Sequence, residues 1–212
     1  ATLLLHLGDL EGSLDAAMRG YRVAVDRGLS EAFGAVVVAT AAWDLVRLGR
    51  WSEADELLAG ATLRPDDPMT GAAATVRAWL AAARGRWADA TALLDTVSGE
   101  ALAAAPGASW LAIATAAATL TSAGQGRLRD ARDRLRAGLR TIDAMGAPST
   151  IAGLATLGLT VEADAAALAR ERSDLAALDD ALDVAQELAA RARSVLEAAA
   201  LGGTAATQED GD

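Results

Sequence analysis

The sequence predicts an all-α fold, an α-solenoid of antiparallel helix pairs in about four to five repeats. Three observations predict it. The stretch Ala42 to Leu58, AWDLVRLGRWSEADELL, returns thirty-six residues later as AWLAAARGRWADATALL, Ala78 to Leu94, with eight of seventeen positions identical. Four of the five Trp fall in register within these two copies, which composition alone does not produce in an Ala-rich chain. Apolar residues elsewhere recur three or four apart, and no run alternates as a half-buried strand would.

Each element follows in order. Residues 1–7 read as a helix end closed at Gly8-Asp9, and a helix from about Leu10 to Arg27 follows through Leu14, Met18, Tyr21 and Val25. The two Trp-rich units occupy about 30–65 and 67–98. In the first, Val38, Ala41, Ala42, Leu45 and Leu48 form an apolar face, and Gly49 supplies the left-handed residue that ends the helix. Ser52 with Asp55 reads as a capping box for the next helix, whose buried stripe is Ala54, Leu57, Leu58 and Ala61. Pro65-Asp66-Asp67-Pro68 closes the unit, with Asp67 as N-cap of the following helix. Residues 99–107 form a connector. A fourth unit is marked by Gly126-Arg127-Leu128, aligned with Gly85-Arg86-Trp87, and its second helix uses Leu128, Leu135, Leu139 and Ile142. A fifth pair spans about 149–172 and 173–200, with Leu175, Leu178, Leu182, Leu188 and Leu196 expected inside. The domain is expected to end at residue 201, and 202–212, GGTAATQEDGD, to be a disordered tail or linker with little to bury.

Composition narrows the function. Ala and Leu supply most of a chain that is 52% hydrophobic but 3% aromatic, which favours close-packed helices. All 19 basic residues are Arg, so a phosphate loop ending in Lys is excluded. A net charge of −10 disfavours nucleic acid and anionic membrane surfaces as partners. With no Cys there is no disulfide framework and no thiolate metal site, which fits the cytoplasm. The single His, His6, rules out a two-His metal helix. No catalytic residue, metal site or cofactor is therefore expected. Gly124-Gln125-Gly126 follows a helix and reads as a turn; Glu162, Asp164, Asp179, Asp180 and Asp183 read as solvated carboxylates. The uncharged runs 101–126 and 144–161 are long enough to span a membrane, but Pro and Gly interrupt both, so buried helices are expected instead. The chain opens without Met in what reads as mid-repeat, as a piece of a longer protein would.

The unit resembles a tetratricopeptide repeat: a small residue at Ala42, Gly49 at the turn, aromatic Trp51, then Ala54 and a terminal Pro65. It departs from that pattern at Val38, where the family has a large residue, and in its uneven period. The resemblance implies a right-handed superhelix. In texture, with LGRWSEADELL, ARGRWADATALL and LARERSDLAAL, the chain is similar to the helical-repeat region of large ATP-dependent LuxR-type transcriptional regulators, relatives of the maltose-regulon activator. That likeness implies a non-catalytic segment that receives a protein or peptide partner or a small effector, with self-association open to it. The alternative is a free-standing scaffold of the same repeat type.

Two sets of binding residues are expected. By the repeat family's groove rule, Val36, Ala39, Trp43, Val46 and Arg47 stand beside Thr75 and Trp79 on a concave wall. The two Trp rings would flank a slot floored by Ala39 and Thr75, with Arg47 at its edge, while Trp51 and Trp87 wedge helices within the core. The other set is Arg129, Arg132, Arg136 and Arg140, spaced as one helical stripe. It reads either as an anion or partner patch or as a solvated face; in the latter case Arg132→Glu with Arg136→Glu costs only about 0–1 kcal/mol.

Overall fold

The structure is a computed structural model and describes residues 8–60, 70–97, 108–147 and 150–209. His6 and the helix end at 1–7, the turn Pro65 to Pro68 with its Asp67 cap, the connector 99–107 and Pro148 lie outside the described residues. Among those described there are nine α-helices and no strand. They are α1 (Leu10–Asp26), α2 (Ser30–Arg47), α3 (Trp51–Gly60), α4 (Thr70–Ala83), α5 (Trp87–Asp95), α6 (Ala108–Gly124), α7 (Leu128–Ala144), α8 (Ile151–Glu171) and α9 (Leu175–Glu209). The all-α helical-repeat fold is thus the one the sequence predicts. The chain divides into two compact units, residues 1–117 and 118–212.

The repeat is closed by its glycines. Gly49 and Gly85 sit at φ 75° and 74°. Arg50 N–H reaches Leu45 O at 2.8 Å and Arg86 N–H reaches Ala81 O at 2.9 Å. Both are Schellman closures, in which a left-handed glycine lets the chain turn back and satisfy carbonyls the helix leaves open. At the end of α8 the same closure uses Ser173, at φ 56°. The expected capping box at Ser52 and Asp55 does not form. The helix already begins at Trp51, and the Asp55 carboxylate lies 2.7 Å from Arg84 Nη2.

In the first unit α2 packs on α1, α3 and α4, and α4 packs on α5. Val38, Ala41, Ala42 and Leu45 of α2 are buried as expected, with Leu14 of α1, Leu58 of α3, Val76 and Leu80 of α4, and Trp110 and Ile113 of α6. Val25, expected on the inner face of α1, is exposed; Ala17 and Ala24 take that face. One acid is buried here. Ser13 Oγ donates to Asp44 Oδ2 at 2.7 Å, and Asp44 Oδ1 has no partner among the described residues. Burial pushes the Asp44 carboxyl above its ordinary value, more than the Ser13 bond lowers it. The native state then holds this proton more tightly than the unfolded chain. Its stabilising contribution is complete below the ordinary carboxylate pKa and is lost as pH rises through the folded value. Asp44→Asn is therefore expected to gain stability over the native chain as pH rises from 4 to 7, read as the difference between paired urea melts. A difference that is flat with pH would show that Asp44 is solvated.

In the second unit α8 packs on α7 and α9. Leu135, Leu139 and Ile142 of α7 are buried, as the periodicity of α7 predicts, and so are Leu154, Ala155 and Val161 of α8. Gly158 is a point of close approach: a Cβ there would lie 2.6 Å from Leu135 Cδ2 and 2.7 Å from Leu188 Cδ1. The inner face of α9 differs from the expected one. Ala181 and Leu188 are buried, whereas Leu175, Leu182 and Leu196 are exposed. These three lie about 100° round the helix from the buried residues, because each is one position beyond the buried register. The helix continues to Glu209, past the boundary expected at 201. By length and composition α8 is apolar enough to cross a membrane, a test that the core helix of a packed bundle also meets.

Candidate functional site

The groove residues do not line a slot. Ala39, Val46 and Thr75 are buried in the core, and Thr75 Oγ1 donates back to Gly71 O at 2.8 Å. The Trp43 and Trp79 rings meet edge to face, centroids 5.4 Å apart at 86°. Trp51 meets Trp79 as well, at 5.7 Å and 85°. Trp79 of α4 thus touches both Trp43 of α2 and Trp51 of α3, and the space expected between Trp43 and Trp79 is taken up by their ring contact. Trp51 is fixed in turn by Nε1 donating to Val46 O at 3.1 Å and by the Arg84 guanidinium 5.8 Å from its ring centroid. All three rings are half-buried, Val36 likewise, and Arg47 is exposed. What the groove rule assigned to a ligand is here a packing junction between two helix pairs.

Two clefts are better shaped for a partner. One, of about 410 Å³, lies among α3, α4 and α5 and is lined by Asp55, Leu58, Arg77, Arg86 and Asp89 among others. Its charges are already matched. Asp55 holds Arg84, Arg86 stands 3.6 Å from Asp89, and Arg77 donates to Leu58 O. The second, of about 380 Å³, lies among α7, the end of α8 and the start of α9. Leu128, Ala165, Leu168 and Ala177 give it an apolar floor, and Arg129, Arg132, Arg136 and Arg172 stand around it with Asp133 and Asp174.

Those arginines are of two kinds. Arg132 is spent on the fold: Nε is 2.8 Å from Glu162 Oε1 and Nη2 is 2.7 Å from Asp180 Oδ2. Its side chain is 18% exposed and that of Glu162 is 1% exposed. Burial opposes the Arg132 charge, and the bonds to Glu162 and Asp180 more than offset this, so its pKa is raised further. Neither a solvated Arg132 nor a solvated Glu162 describes this pair. Arg129, Arg136 and Arg172 are exposed, and among the described residues none of their side chains has an ion pair or hydrogen bond. Arg140 is exposed but lies outside the cleft. Arg172, which the stripe did not include, joins because the turn after α8 brings it back beside α7; Asp174 Oδ1 secures that turn by accepting Ala177 N–H at 3.0 Å.

The fold defines a helical-repeat protein. Residues 6–105 match the family model of the tetratrico peptide repeat. No curated protein and no solved structure matches the chain. The repeat match supports a protein-interaction role, and repeat domains of this kind are generally non-catalytic scaffolds.

Proposed function

We propose that this chain is a non-catalytic interaction or effector-receiving segment of a bacterial LuxR-type transcriptional regulator, acting in the cytoplasm on an acidic partner. The cleft of the second unit carries the binding part of this reading. Three arginines without counter-ions among the described residues surround an apolar floor, in a chain whose net charge is −10. Such a recess suits a peptide segment that offers an apolar side chain and flanking carboxylates, since Arg binds carboxylates through its planar fork. Long-range attraction is absent, so recognition rests on the local charge. A labelled peptide of Glu and Leu tests it by fluorescence anisotropy. Arg129→Ala, Arg136→Ala and Arg172→Ala together are expected to weaken binding about tenfold or more and to reduce its salt dependence. Stability should change little, because exposed unpaired charges contribute little. Equal binding by the triple variant would remove the cleft from consideration. The regulator part is supported by the repeat texture quoted above. It is tested by the full-length gene: a nucleotide-binding module before this segment and a helix-turn-helix after it support the regulator, and their absence favours a free-standing scaffold.

A further inference from the structure

Helix α9 has three distinct sides. Ala181 and Leu188 face inward, with Leu188 meeting α8 at Gly158. On a second side Asp180 and Arg191 pair with Arg132 and Asp143 of α7, both at 2.7 Å. On the third, Leu175, Leu182 and Leu196 are 72%, 47% and 61% exposed. Between them Leu178, Ala185, Ala189 and Ala192 are half-buried. From Leu175 to Leu196 this stripe advances by alternating steps of three and four residues. That is a heptad seam, the pattern by which one helix receives another along its length.

We propose that the occupant is a second copy of this chain, with α9 antiparallel to α9 about a two-fold axis near Gln186. Charge and size complementarity select this arrangement. One register places Leu178 against Leu196, Leu182 against Ala192 and Ala185 against Ala189, and the two-fold repeats each layer. The same register brings Asp179 of each copy to Arg193 of the other on the flank of the seam, and Gln186 to itself. Within its own chain Asp179 has no ion pair among the described residues, and Arg193 makes only a 3.4 Å bond to Ala189 O. A parallel pairing would stack Ala185, Ala189 and Ala192 on their own copies in successive layers, leaving voids, and would give Asp179 no cation. An isologous pair also closes on itself, so it stops at two. Two copies of net charge −10 repel at a distance, which makes this local match the condition for pairing.

Sedimentation equilibrium of the chain tests the proposal, with circular dichroism melts reporting the fold. The native chain is expected to show a monomer–dimer equilibrium, and Leu182→Glu with Leu196→Glu to be monomeric with an unchanged melt, since both leucines are exposed. Arg193→Asp sets Asp against Asp179 and is expected to weaken the dimer at least tenfold. Adding Asp179→Arg restores both ion pairs with their signs exchanged and is expected to recover the native association. A native chain that stays monomeric at the highest concentration reached would overturn the proposal. So would a dimer indifferent to the two Glu substitutions, or an exchanged-charge variant that fails to recover. Should the Glu variant melt early, Arg193→Asp and its rescue still decide the question. Because these residues lie outside the arginine cleft, loss of peptide binding and loss of pairing are separate results.

Discussion

Trp79→Ala is expected to lower the unfolding free energy by about 3–5 kcal/mol, the cost typical of truncating a packed Trp. Trp79 is the middle ring of three, and its removal breaks two edge-to-face contacts at once. Each such contact is worth about 0.5–1.5 kcal/mol beyond the area it covers. It also opens a void where α2, α3 and α4 meet. Trp43→Ala loses one ring contact and is expected to cost less. The two variants and their double should show a coupling of about 0.5–1.5 kcal/mol in a urea-melt cycle. A Trp79→Ala loss under about 1 kcal/mol would mean that the rings are exposed groove residues after all and that the junction is not structural.

The repeat itself was legible because it rests on local physics. Gly49 and Gly85 fix where helices stop, and a period near 3.6 fixes which residues of α2 and α7 face inward; both are properties of a few neighbouring residues. What was hidden depends on partners distant in sequence. The Trp register correctly put four rings at equivalent positions, but whether Trp43 and Trp79 flank a slot or touch depends on how closely α2 approaches α4. The arginine stripe showed which residues share a face of α7. It could not show that Glu162, thirty residues on, meets Arg132 alone and leaves Arg129 and Arg136 unpaired. A signal was present: Glu162 stands at the end of a long uncharged run, and Asp44 stands in an apolar helix, both places where an acid is costly without a partner. On α9 the leucines misled because two stripes lie side by side. The larger side chains belong to the exposed one, and Ala181 with Leu188 holds the core.

Arg132→Ala is expected to be as damaging as the loss of Trp79, about 3–5 kcal/mol, although Arg132 lies in a row of surface arginines. The reason is what it leaves behind. Glu162 is 1% exposed, its Oε1 is bonded to Arg132, and its Oε2 has no partner among the described residues. Removing the guanidinium strands a buried carboxylate without the cation that stabilises its charge. The neighbouring change Arg136→Ala, on the same helix face but unpaired, should alter stability by no more than about 0.5 kcal/mol. A further measurement separates charge burial from simple loss of packing. Replacing both partners, Arg132→Met with Glu162→Leu, should recover most of the loss, since apolar groups of similar volume often serve as well as a buried ion pair. Asp180, 57% exposed, has water to turn to, so Asp180→Ala should cost only about 0–1 kcal/mol. Equal and small losses from Arg132→Ala and Arg136→Ala would return Arg132 to the solvated stripe and leave Glu162 without its counter-ion.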